Sequence, residues 1–252
     1  TLGVPLRSYL ERLRDEGLAS LPGTAAEVLD DEVRAIICPD KITTAQWLEV
    51  HETAHAVGLR SNNTIMFGHV DGAEHWARHL VAVRDQQRSS GGFTEFVPLP
   101  FVPMEAPMYL KGLSRRGPTF AEALLMQAVG RLALHPWITN IQASWVKLGP
   151  DGARALLDSG VNDLGGTLMN ESISRAAGAS HGQECPPERM EEVIRAAGRE
   201  PRQRTTLYAD APAERVAASF AAPPLAPADP PPYDDGGLQR PAQLIRPGLI
   251  GV

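Results

Sequence analysis

The sequence predicts an α/β fold of parallel βα units, about five of them, and three observations carry the prediction. Extended apolar segments alternate with amphipathic helical ones along the 252 residues, the pattern of βαβ units rather than of separate helical and sheet layers. Two of the extended segments also alternate in polarity residue by residue, as strands with one apolar and one polar face do. Gly, Asn and Asp collect where those strands end, which is where parallel α/β folds place their ligands. A closed barrel of this type takes eight strands. Five leave either a barrel short of three N-terminal units or an open sheet.

The elements follow in order. Leu6, Tyr9, Leu10 and Leu13 share one face of a helix over Leu6–Arg14, and Gly17 stops it. A short strand, Leu18–Leu21, runs into Pro22 and Gly23, and a further segment covers Ala26–Leu29. Thr43 or Thr44 caps a helix that reaches Val57, with Gly58 as terminator. Ser61–Phe67 reads as a strand with Asn63, Ile65 and Phe67 on one face and Thr64, Met66 and Gly68 on the other. A helix over Ala73–Gln87 and a strand over Phe93–Val97 follow. Pro98, Pro100 and Pro103 then predict an extended loop, because proline lacks a backbone donor. The chain continues with a helix over Phe120–Leu134, a strand over Asn140–Val146, a helix over Asp151–Ser159, a strand over Val161–Leu164 and a helix over Glu188–Ala197. Beyond Ala211 proline, alanine and aspartate dominate, so residues 1–210 are expected to form the partial barrel and 211–252 a disordered tail. Within the tail, Val216–Phe220 has the pattern of a helical turn, and Gly248–Val252 is apolar enough to dock.

With 43% hydrophobic and 21% charged residues the chain reads as soluble and globular. Its net charge of -6 argues against a nucleic-acid surface, and no apolar run approaches the roughly 20 residues of a membrane span. Cys38 and Cys185 imply no disulfide framework, and a cytoplasmic setting is expected. No signal peptide precedes Thr1, and the absence of an initiator methionine suggests that residues before Thr1 are missing.

Candidate site residues come from the strand ends. Gly68 opens room for backbone or ligand, with His69 and Asp71 just beyond it, and His69 suits proton transfer because its charge changes near neutral pH. Asn140, Gln142 and Ser144 share the polar face of their strand, and Lys147 stands beyond it. Around Gly165 and Gly166 lie Asn162, Asp163, Thr167, Asn170 and Glu171, of which Glu171 is a candidate proton acceptor. A competing motif is His51–His55, HETAH, which matches the HExxH pattern of zinc hydrolases on a predicted helix. That helix lies away from the strand ends, so no residue is assigned to a metal.

The stretch SNNTIMFGHVD at Ser61–Asp71 resembles the GxIxGxxE strand motif of radical S-adenosylmethionine (radical SAM) enzymes, with Thr64, Met66, Gly68 and Asp71 in the four places and Gly68 the one strict match. Further segments extend the resemblance over Leu6–Tyr208: SLPGTAAEVL, ICPDK, TTAQWLEVHETAHAVGL, EFVPLPFVP, NIQASWVKLG and NDLGGTLMNESIS. Together they are similar to the subgroup that contains FO synthase and the futalosine-pathway enzymes of menaquinone synthesis. Thr24 and Ala25 depart from the subgroup's PGGGAE. EAPMYLKGLSRRGPT leans toward the tyrosine-using half of FO synthase.

The resemblance implies the C-terminal part of a radical SAM TIM-type barrel. It implies S-adenosylmethionine and a [4Fe–4S] cluster as cofactors, with tyrosine and 5-amino-6-(ribitylamino)uracil as substrates on the way to coenzyme F420. It assigns Glu27 to a polar contact with the cofactor, and Asn63, Met66 and Gly68 to the strand beside adenine. Pro98 to Phe101 would form a backbone wall, while Gln142, Ser144, Lys147, Asn162, Thr167, Asn170 and Glu171 would face the substrates. The subgroup's CxxxCxxC is absent, which puts the cluster outside this chain and leaves this fragment inactive by itself. A futalosine-pathway enzyme, a zinc hydrolase and a non-catalytic part-barrel binding domain are the alternative expectations.

Overall fold

The computed structural model describes residues 3–168 and 170–226. Three parallel strands form the sheet: β1 (Ser20–Leu21), β2 (Arg60–Phe67) and β3 (Phe93–Pro100), in that order. Two single parallel bridges continue it, Phe96 with Ile141 and Gln142 with Asp163. The expected strands at Asn140–Val146 and Val161–Leu164 are thus reduced to bridges.

Proline explains where pairing stops. β3 runs on through Pro98 and Pro100, where the sequence suggested a loop, because the two prolines turn their missing donors away from β2. Toward β2, the Phe101 amide donates to Phe67 O; toward the next segment, the Phe96 amide donates to Asn140 O. Pro98 and Pro100 lie on the Phe96 side of this alternation and cannot donate there, so the ladder ends after one bridge.

Ten helices or helical turns accompany the sheet among the described residues. They are α1 (Leu6–Asp15), α2 (Asp31–Ile37), α3 (Thr44–Ala56), α4 (Ala73–Ser90), the single turn α5 (Pro107–Leu110), α6 (Phe120–Leu134), α7 (Trp145–Leu157), the turn α8 (Ile173–Ala176), α9 (Pro187–Ala196) and α10 (Ala213–Ala221). Thr43 and Thr119 close capping boxes with Gln46 and Glu122, which fixes the starts of α3 and α6. Sequence reading passed over α2, although Asp30 caps it through the Glu32 and Val33 amides. In α7, Gly149 (φ 72°) and Pro150 break the helix, so Trp145 and Val146 are helical and only the second half was foreseen.

Ile65, Phe67, Phe96, Met126, Ile141 and Leu156 belong to the main core between sheet and helices. On β2, Ser61, Asn63, Ile65 and Phe67 are buried on that side, while Asn62, Thr64 and Met66 are half-buried on the other, open face. α10 replaces disorder at 213–221 and contains the turn expected at Val216–Phe220. Residues 227–252, with the apolar Gly248–Val252, lie outside the described residues. Among the described residues no helix is long and apolar enough to cross a membrane.

Candidate functional site

The C-terminal ends of the strands gather much of the chemistry that the sequence singled out. After β1 the chain turns through Ala25 (φ 68°) and Glu27 (φ 45°), left-handed conformations that non-glycine residues rarely hold. Arg34, 4% exposed, holds that turn: its guanidinium donates to the carbonyls of Ala25, Ala26 and Ile42. The turn brings Glu27 beside β2, where its carbonyl accepts the Met66 amide at 2.8 Å and its carboxylate accepts Lys41 Nζ at 2.7 Å. That hydrogen bond raises the Lys41 pKa.

After β2, Asp71 organises the loop. Its carboxylate accepts the Gly68 amide at 2.9 Å, the His69 amide at 2.7 Å and the Trp76 indole N–H. Burial pushes the carboxyl up, but His69, Trp76 and these amides together hold it below its ordinary value. His69 Nε2 donates to Met66 O at 2.9 Å, and Nδ1 accepts the Val70 amide at 2.7 Å. Both ring nitrogens are therefore occupied, and burial lowers the ring's pKa against the pull of Asp71. His69, expected to transfer protons, has neither ring nitrogen open in this structure. Gly68 (φ 96°) is explained by protein rather than ligand, since an added Cβ would lie 2.2 Å from Pro118 Cδ.

Several expected contacts point elsewhere. Asn63 is fully buried on the helix side, where it donates to Glu95 O across a β-bulge. Pro98 pairs with Ile65 on the same buried side and is no wall to the mouth. Asn162 accepts from Arg131 in the last turn of α6 and from the Ile141 amide, which places it at the opposite end of the strands. Asn170 is exposed and accepts from Arg175. Thr167 uses its carbonyl to accept the Cys185 amide.

The residues that do stand at the mouth are Glu27, Met66, Phe101, Ser144, Lys147 and Glu171. Phe101 meets His69 edge to face at 5.9 Å. Ser144 begins α7 without a side-chain cap. Glu171 accepts the Ser174 amide, and its charge opposes the burial that lowers the Lys147 pKa.

Gln142 belongs to a polar cluster deeper on the open face. The Glu95 carboxylate accepts from Gln142 at 3.2 Å, Asn62 at 3.4 Å, Arg204 at 3.4 Å and Tyr208 at 2.6 Å. Arg204 also pairs with Asp163 and lies 4.0 Å from the Tyr208 ring centroid. Burial, then Asp163 and Glu95, push the Tyr208 phenol far above its ordinary value. Sequence reading missed Glu95, Arg204 and Tyr208, whose only signal is a carboxylate within a strand.

Of the HETAH histidines, His51 is buried and His55 half-buried. His51 Nδ1 lies 2.9 Å from Ser61 Oγ, and His55 Nε2 and Nδ1 lie 2.8 Å and 2.6 Å from Ser61 and Ser90. Their rings pack on Trp47 and Phe93, and Glu52 is exposed. No third ligand joins them among the described residues.

The family described as "CofH/MqnC C-terminal region" matches residues 90–215. The chain is 52% identical over 217 residues to the FO synthase of Streptomyces coelicolor, covering 86% of this chain and 25% of that protein. It is 53% identical over 199 residues to the 5-amino-6-(D-ribitylamino)uracil–L-tyrosine 4-hydroxyphenyl transferase of Methanothermobacter thermautotrophicus, covering 79% and 54%. The chain thus spans about a quarter to a half of the length of these relatives. Among solved structures, methylornithine synthase aligns with a TM-score of 0.58 at 18% identity, covering 78% of this chain and 56% of that one. HydG, a maturase of the [FeFe]-hydrogenase, aligns at 0.59 and 14%, covering 80% and 44%. These two likenesses show the α/β fold with a parallel sheet, and the match over half its length shows that the chain belongs to the CofH/MqnC C-terminal region family.

Proposed function

We propose that this chain is the substrate-facing part of a cytoplasmic radical SAM enzyme that transfers the 4-hydroxybenzyl group of tyrosine to 5-amino-6-(ribitylamino)uracil, toward the deazaflavin precursor FO. The observation that carries the reading is the 53% identity over 199 residues to a protein named for those two substrates. The sheet and its two bridges supply about five units of a barrel whose other units belong to the remaining length of the relatives.

The residues present fit the adenosyl end of S-adenosylmethionine. Thr64 and Met66 are half-exposed on the open face, and the strained turn at Ala25 to Glu27 presents a carboxylate beside them. When bound, this cofactor supplies the radical chemistry. Around it, Glu27 would offer a polar contact, Met66 an apolar one, and Phe101 would screen the mouth from water. Ser144, Lys147 and Glu171 are the proposed substrate contacts. The [4Fe–4S] cluster does not fit this chain: Cys38 and Cys185 are two thiols rather than three, both buried, and burial raises the pKa of each.

The test is anaerobic reconstitution of the full-length protein with iron and sulfide, followed by measurement of 5′-deoxyadenosine with tyrosine and the ribitylaminouracil. Formation that depends on both substrates is expected, with none from this chain alone. Cleavage only with futalosine-pathway substrates would move the enzyme to menaquinone synthesis.

A further inference from the structure

We infer that the cavity beside Lys147 recognises the carboxylate of an aromatic amino acid, a reading that rests on the proposed tyrosine chemistry and gives it a specific anchor. The cavity, about 310 Å³, opens at the end of β3 between Phe101, Arg116, Phe120, Lys147 and His181. Its size is that of a small-molecule site.

Charge is what distinguishes it. Arg116 and Lys147 both line it, His181 adds an imidazole, and no carboxylate is among its lining residues. Lys147 has three donors, yet among the described residues its one hydrogen bond is to Ser174 Oγ at 3.2 Å. Glu171 is near enough to act on its charge, but the Glu171 carboxylate oxygens take the Ser174 amide. Arg116 has no hydrogen bond or ion pair among the described residues, whereas its neighbour Arg115 is paired with Glu122 at 2.7 Å. A half-buried ammonium with unused donors gains from an anion that completes it.

The walls choose the kind of anion. Phe101, Phe120, Val102, Pro100 and Leu148 are apolar or aromatic. A bare phosphate would leave that surface unused; an aromatic ring carrying a carboxylate covers it while meeting the cations. The ring of His181 closes the far side against Gly149, where an added Cβ would lie 2.8 Å from the imidazole.

The experiment compares equilibrium binding of L-tyrosine and L-tyrosinamide, which replaces the carboxylate by a neutral amide, to the full-length protein. Wild type should bind tyrosine about tenfold more tightly than the amide, and Lys147→Met should abolish that preference while S-adenosylmethionine affinity stays within about twofold. Arg116→Gln, at an exposed position that the fold does not need, should reduce tyrosine affinity by about threefold or more. Equal binding of the two ligands by wild type overturns the inference, as does an equal loss of both in Lys147→Met or a loss confined to S-adenosylmethionine. The two readings fail separately. If tyrosine supports turnover and both variants keep wild-type kcat/KM, the carboxylate site falls and the enzyme assignment stands. If tyrosine supports none, but L-phenylalanine binds over its amide with the same Lys147 dependence, the site stands and the assignment falls.

Discussion

The two flanks of the sheet treat polar groups in opposite ways. Around β2, His51, His55, His69, Asp71 and Trp76 bond to one another's neighbours or to backbone, and the loop after the strand is closed by its own amides. Around the end of β3, Arg116 and Lys147 face a cavity with one hydrogen bond between them. The first flank holds the sequence's most motif-like residues and has no free donor or acceptor on His69. The second holds residues that no motif emphasised and leaves donors open. A polar group's value for recognition lies in what remains unsatisfied after folding, not in how distinctive its sequence context is.

Acid should separate the flanks most. Burial lowers the His51 and His79 pKa from 6.5 to about 3, and that of His55, which is less deeply buried, to about 4. Unfolded histidines take up protons near pH 6.5 and these do not. The stability they contribute is complete above pH 6.5 and is lost as pH falls toward 3–4, by at most about 1.4 kcal/mol per pH unit for each of His51 and His79. Urea midpoints between pH 7 and pH 4.5 measure this, and a flat profile would break the contrast.

Next in size is Gly68→Ala, which forces a Cβ into Pro118 at a positive φ and should cost roughly 3 kcal/mol. Asp71→Asn replaces an acceptor of three N–H groups with an amide that brings donors of its own, and should cost about 2 kcal/mol in the same denaturation assay. Lys147→Met is the smallest effect. It removes an ammonium with one neutral partner and should change stability by less than about 1 kcal/mol, in either direction. A large loss there would mean that Lys147 holds the fold together as Asp71 does, and the flanks would no longer differ.

Much of the layout was legible in the sequence because it is local. Helix starts at Thr43 and Thr119 follow from capping chemistry, and β2 follows from its alternation. What failed was non-local. Pro98 and Pro100 read as strand breakers, and only the side of β3 on which β2 lies shows that they are tolerated. Asn162 and Gln142 read as mouth residues because they sit near strand ends, but Arg131 claims one and Glu95 the other from distant parts of the chain. Met66 is half-buried on the open face of β2, and Lys147 lines the cavity at the end of β3. The partners of Glu27 and the emptiness around Arg116 required the fold.

The contact of Glu95 with Arg204 and Tyr208 also imposes an order of events during synthesis. The carboxylate joins its tyrosine partner across 113 positions of sequence. At ribosomal speeds of about 5–20 residues per second, Glu95 waits several seconds or longer for that partner to be made. Until then the strand carrying it has a charge on its open face that favours water over closure. Asn62 and Gln142 are made long before Arg204 and Tyr208, so the Glu95 carboxylate meets its neutral amide partners first and its cation and phenol last.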